Sequence, residues 1–138
     1  MVEDSDEDWV VLRRVLAQVA PEVEAVRLAD GDTALEELRR GLRVSAVLVD
    51  LNLPRMRGPE LVRRLREDAT LRATPVVVLS GSNRPQDIDE VYAAGANAYL
   101  CKPLGLPELA ATLEALVTWL RTIELPGRAR PRVASAWS

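Results

Sequence analysis

With 138 residues, 48% of them apolar, the chain suits a single domain around one hydrophobic core and leaves no room for a second folded output domain. One cysteine, Cys101, excludes an internal disulfide, and the absence of histidine removes the common zinc sites and histidine-based triads. The net charge of −3 argues against nucleic acid as a partner, although Arg128, Arg130 and Arg132 make the last residues locally basic.

Only Met1 and Val2 precede the acidic pair Glu3 and Asp4 in the opening MVEDSDED, which is acidic where a secretory signal would be basic and then apolar. With no apolar stretch of membrane-spanning length, a cytoplasmic chain without a membrane partner is expected. Ser5 can cap a first helix whose apolar residues Trp9, Leu12, Leu16 and Val19 share a face and which ends before Pro21. Residues 23–28 read as a short strand, and DGDTALEELRRG as a second helix with Asp32 as cap and Gly41 as left-handed stop. Residues 44–49 form a buried strand that runs into VLVDLNLP. Pro59 fits the first turn of a helix reaching about Asp68, and TPVVVLS supplies another buried strand through Val76 to Leu79. Residues 86–94 are helical with Gly95 as stop, and 97–101 make the last strand. Residues 106–123 form a long amphipathic helix with Leu109, Leu113, Leu116 and Leu120, and with Trp119 expected in the core. Strands alternating with helices imply an α/β, doubly wound parallel sheet covered on both faces.

In such a sheet the ligand site lies beyond the carboxyl ends of the strands. Asp50 leaves one strand, Ser80 the next and Lys102 the last, while Glu3 and Asp4 stand ahead of the first helix; all five are expected to meet in one crevice. A carboxylate at Asp50 is costly unless a cation or hydrogen-bond donors meet it. Three clustered carboxylates call for a cation, and hard oxygen ligands favour Mg²⁺. With charge drawn off by the metal and Lys102, a carboxylate oxygen can attack phosphorus, which makes Asp50 the natural nucleophile, with Ser80 supplying a hydroxyl to the phosphoryl oxygens. Lys102 is the one lysine beside seventeen arginines, a compact ammonium where the sequence otherwise chooses a planar guanidinium.

VEDS, VLVDLNLP, VVVLS and YLCKP, in this order and spacing, resemble the receiver domains of two-component response regulators over nearly the whole chain. The resemblance implies the flavodoxin-like strand order 2-1-3-4-5 for a five-stranded sheet, with a receiver over residues 1–123 and a basic extension over 124–138. It implies Asp50 as phosphoacceptor and Glu3, Asp4, Asp50 and the backbone carbonyl of Asn52 as Mg²⁺ ligands. Lys102 is then the phosphate partner, Ser80 and Tyr99 the switching pair, and the bond between Lys102 and Pro103 is cis. The implied function is phosphorelay signal transduction: the domain takes its phosphoryl group from a sensor histidine kinase and catalyses only that transfer and a slow dephosphorylation. DLNLPR, the run from DI through VY and GAN to YLCKP, and TWLRTIELP look most like stand-alone regulators of phytochrome-type kinases. That likeness implies a homodimer through the last helix and its Leu125-Pro126 extension, a role also suited to a second apolar stripe at Ala110 and Val117.

Competing readings are weaker. A haloacid-dehalogenase-like phosphatase would want a second aspartate two residues after the nucleophile, where this chain has Asn52; without that base a phosphoaspartate persists, which suits a switch. A nucleotide or flavin binder would want a glycine-rich loop where SDED stands. Asp6, Glu7 and Asp8 are expected to serve the positive end of the first helix, and Cys101 to be a small buried hydrophobe facing away from Lys102. The first strand is the departure: Met1 and Val2 are too short for one, so the neighbouring strands would be left about 9.6 Å apart. Either the natural start lies upstream, or the first strand is shortened and the metal site weakened.

Overall fold

The computed structural model describes residues 1–3 and 5–123; Asp4, Leu125, Pro126 and the basic extension lie outside the described residues. Helix α1 (Asp6–Val19) begins where Ser5 Oγ accepts the Asp8 N–H at 3.2 Å, as expected of a serine cap. Helix α2 (Gly31–Arg39) is capped by Asp30, whose carboxylate accepts the Thr33 N–H at 2.8 Å. The expectation of Asp32 as cap is thereby corrected: Asp30 has the extended backbone a cap needs, and Asp32 lies inside the first turn. Helices α3 (Gly58–Glu67), α4 (Pro85–Ala94) and α5 (Leu106–Thr122) each carry a proline in the first turn, and Gly95 ends α4 with φ +108.

Strands β1 (Val47–Val49), β2 (Val76–Ser80) and β3 (Ala98–Cys101) pair in parallel in the order β1-β2-β3, with Val49 opposite Val78 and Ser80 opposite Cys101. Residues 23–28 do not form the expected strand. Val2 makes single parallel bridges to Leu28 on one side and Val49 on the other. Its N–H donates to Leu48 O (2.8 Å) and its carbonyl accepts from Asp50 N (3.1 Å), while Leu28 N donates to Met1 O (2.8 Å). A ladder cannot outlast its shorter member, so a two-residue neighbour lets only Leu28 of this segment join it in a bridge.

Alternation along the strands builds the two layers. Val47, Val49, Val76 and Val78 face α2, α3 and α4, packing with Leu35, Leu38, Leu61, Leu65 and Val91. Ala46, Leu48, Val77 and Leu79 face the other way, onto Leu12, Leu16, Leu109, Leu113 and Leu116 of α1 and α5. Leu48, Leu61, Leu65, Leu79 and Leu113 are fully buried, each stabilising the fold by roughly 1.5–3 kcal/mol. Val117 is buried in the same cluster, and Ala110 and Trp119 pack against it partly covered. Of the apolar stripe expected to be spare for a partner, Val117 is spent on the core and Ala110 is only partly covered. No helix among the described residues is long and apolar enough to cross a membrane.

Candidate functional site

The carboxyl ends of the strands bring the expected side chains together. Asp50 follows β1 directly, and its N–H is tied to the Val2 carbonyl, which sets Glu3 beside it. Lys102 follows β3, its N–H donating to Ser80 O at 2.6 Å, so the lysine and the serine leave adjacent strands at one level. Lys102 Nζ then reaches 3.8 Å from Glu3 Oε2 and 3.0 Å from Asp8 Oδ2.

Glu3 is fully buried; one carboxylate oxygen accepts the Ser5 N–H at 2.9 Å, and Oε2 is buried without a hydrogen-bond partner. Burial pushes this carboxyl from 4.5 up to about 7, with the Asp50 charge adding to the rise and the Ser5 N–H and Lys102 opposing it. An orphaned carboxylate oxygen in a crevice shared with a second acid is the donor set a hard divalent cation suits. Among the described residues no group of three metal-ligating side chains is close enough to hold one, and Asp4, the expected third acid, lies outside them. Asn52 is exposed on the loop after Asp50.

Ser80 is buried at the end of β2, and its Oγ accepts the Ser82 N–H at 3.2 Å. Tyr99 does not meet Ser80 directly: its hydroxyl donates to the Ser82 carbonyl at 2.7 Å. The expected pair is therefore joined through a residue between them. Sequence reasoning missed Ser82, which carries no pattern of its own, and assigned Asp8 only to the helix end. The pairing of Asp8 with Lys102 spans 94 positions, beyond any local signal.

Residues 1–114 match the family described as the response regulator receiver domain. The chain belongs to that family. This receiver domain is 32% identical over 133 residues to the response regulator Rcp1 of Synechocystis, covering 91% of this chain and 90% of Rcp1. The Mn²⁺-bound structure of Rcp1 superposes with a TM-score of 0.78 at 30% identity, covering 91% of this chain and 96% of that one. The phosphorylated cyanobacterial phytochrome response regulator RcpA gives 0.82 at 34% identity, covering 91% and 95%. A third structure, the receiver domain of the Pseudomonas aeruginosa sensor histidine kinase PA1611 with a magnesium ion in its active-site cleft, gives 0.68 at 28%, covering 83% and 91%. Receiver domains are the phosphoryl-accepting components of two-component phosphorelay signalling, and they work with sensor histidine kinases.

Two expectations for this receiver domain are corrected. No peptide bond among the described residues is cis, so the bond between Lys102 and Pro103 is trans, the form favoured by about 0.5–1 kcal/mol before proline. Cys101 is exposed and not buried: it is the last residue of β3, which among the described residues is an edge strand of the sheet.

Proposed function

We propose that Asp50 accepts a phosphoryl group from the phosphohistidine of a sensor histidine kinase and that the domain relays the change by rearranging its surface. The observation that carries this reading is the buried Glu3 Oε2, which has no hydrogen-bond partner and only the Lys102 ammonium at 3.8 Å, in the crevice it shares with Asp50. Glu3, Asp4, Asp50 and the Asn52 backbone carbonyl would hold Mg²⁺, which when bound neutralises the clustered carboxylates and the phosphoryl oxygens. An Asp50 carboxylate oxygen forms the new P–O bond as the P–N bond to the donor imidazole breaks, and the pair of electrons leaves with the imidazole. Lys102, drawn from Asp8 and Glu3, takes the charge on the phosphoryl oxygens, and the Ser80 hydroxyl turns toward them. Movement of Ser80 and re-seating of Tyr99 then shift a two-state population. The domain is a switch and not a conventional enzyme, catalysing only its own phosphorylation and slow dephosphorylation.

Similarity to Rcp1 and RcpA supports a phytochrome-type kinase as the donor. The two bridges of Val2 support the strand order 2-1-3-4-5 with a first strand reduced to one residue. A homodimer through α5 and the edge of β3, with residues 124–138 as a basic extension of a receiver over 1–123, completes the reading; the incompletely buried Leu100 beside α5 supports that face.

Labelling with a small phosphodonor in Mg²⁺ tests the site. Asp50→Asn should take up no label, because an amide does not attack, whereas Lys102→Arg should be labelled but switch poorly, a planar fork replacing a point charge. Undiminished label on Asp50→Asn would sink the assignment.

A further inference from the structure

Glu3 stands one residue beyond the Val2 bridges, where pairing with the sheet ends, and two consecutive residues hold its backbone from one side. Its N–H donates to Leu28 O at 3.1 Å, completing the bridge between Val2 and Leu28. In a continued parallel ladder the Asp30 N–H would meet the Glu3 carbonyl, but Asp30 already serves as the cap of α2. The guanidinium of Arg27 takes that place. Its Nε donates to Glu3 O at 3.1 Å, and its Nη1 donates to Asp6 Oδ1, in the first turn of α1, at 2.6 Å. One planar fork therefore spans the turn from Glu3 to Asp6, across which the Ser5 N–H also donates to the Glu3 carboxylate at 2.9 Å. The two contacts of the fork differ in weight. The Asp6 side chain is 88% exposed, so its ion pair contributes little by itself and serves to aim the guanidinium. The bond to Glu3 O is partly buried, between an Arg27 side chain that is 24% exposed and a fully buried Glu3. The Arg27 charge works against a cation bound at Glu3, so what this side chain offers the crevice is geometry.

We propose that Arg27 is a positioning residue for the metal-binding acid: by clasping the Glu3 carbonyl to the first turn of α1, it fixes the main chain from which the Glu3 carboxylate reaches the crevice. The clasp stands in for a ladder bond that the sheet does not supply there. The proposal rests on the reading of Glu3 as an Mg²⁺ ligand. The sign of one measurement separates geometry from charge. Removing a nearby positive charge by itself strengthens the binding of a divalent cation, whereas loosening the support of a ligand weakens it.

Arg27→Met in the full chain keeps the apolar stem and removes the fork. By isothermal titration calorimetry it should bind Mg²⁺ about tenfold more weakly than the wild type, the scale on which residues that support a metal ligand act. In the metal-free chain, hydrogen exchange followed by nuclear magnetic resonance should quicken at the Glu3 and Ser5 amides, and it should keep wild-type rates in β2 and α3. Uptake of label on Asp50 from a small phosphodonor should fall at low Mg²⁺ and return to the wild-type rate once Mg²⁺ saturates the variant, as a defect in affinity alone requires. An Mg²⁺ affinity equal to or above that of the wild type overturns the proposal. So do unchanged exchange rates at Glu3 and Ser5, or a labelling defect that persists at saturating Mg²⁺. A wild type that binds no Mg²⁺ overturns the reading of Glu3 as a ligand, while the exchange rates still decide whether Arg27 clasps the turn.

Discussion

A Cβ on Gly58 would stand 2.6 Å from the Asp50 carbonyl oxygen and 3.1 Å from the Leu51 backbone, with no flexible side chain in the way to yield. Gly58 N–H also donates to Leu51 O at 2.9 Å, so the start of α3 lies directly on the chain that leaves β1. The absence of a side chain at this position therefore sets where the loop after Asp50 runs. Gly58→Ala should cost about 1–3 kcal/mol by overpacking and, unlike an ordinary core change, should also slow labelling of Asp50, because the loop from Asp50 to Asn52 must move to make room. Denaturant unfolding and the rate of label uptake measure the two effects; wild-type labelling at reduced stability would show that the loop absorbs the methyl elsewhere. Lys102 works at the same scale. Its ammonium stands 3.0 Å from Asp8 in the first turn of α1 and 3.8 Å from Glu3 just ahead of that helix, and on the proposed reading it exchanges them for a phosphoryl group.

Between elements, the carboxyl end of α3 is held by Asp68. Its side chain accepts from the Thr70 hydroxyl (2.7 Å) and N–H (2.9 Å) and from Arg39 Nε of α2 (3.1 Å). The Thr70 hydroxyl bond, then its N–H and then Arg39 hold this carboxyl down from 3.8 to about 2. A carboxyl with a lowered folded-state pKa contributes stability that is present above its unfolded value and is lost as pH falls through its folded value. Thr70→Ala should therefore raise the Asp68 titration and narrow stability relative to wild type above about pH 4, with the gap closing toward about pH 2. A carboxyl titration by nuclear magnetic resonance, with acid unfolding of both chains, tests it; an unmoved Asp68 titration would refute the assignment of the hydroxyl as the main cause. At the other end of the sheet, Met1 is buried and its ammonium donates to Val26 O at 2.5 Å, a burial that pushes the amine down from 8.0 to about 5. Adding about five β-branched or alternating apolar residues before Met1 would replace that buried amine with an amide and extend the strand beside residues 23–27. Both melting temperature and Mg²⁺ affinity should rise, since Glu3 would then hang from an anchored strand. Equal melting and equal binding in the two chains would refute this.

For the molecule as a whole, the open question is its outer faces. The buried residues of α5, Val117 included, all serve the core against α1 and the sheet, so a partner must use what remains: the β3 edge and the outer side of α5. Cys101 is exposed on that edge. An isologous dimer built there should appear in sedimentation at micromolar concentration. Only monomer, with and without phosphodonor, would count decisively against it.

Local physics was legible in the sequence wherever one segment decides its own state. The serine cap of α1, the Gly95 stop of α4 and the apolar run of β2 each depend on a few neighbouring residues and lie where the sequence puts them, while β1 keeps its expected end at Val49 but begins at Val47 and not at residue 44. The meeting of Asp50, Glu3 and Lys102 was legible too, because a parallel sheet gathers its strand ends on one side. What tertiary structure alone decided depends on partners far along the chain. Residues 23–28 have strand composition, but pairing requires a neighbour of matching length, and Val2 supplies only one bridge. Cys101 alternates correctly, yet at the end of β3, an edge strand among the described residues, it is exposed. Asp8 and Ser82 look like helix-end charge and loop polarity in isolation. Their roles arise only where folding sets Asp8 against Lys102 and puts Ser82 between Ser80 and Tyr99, since hydrogen bonds are made across space and sequence spacing does not record them.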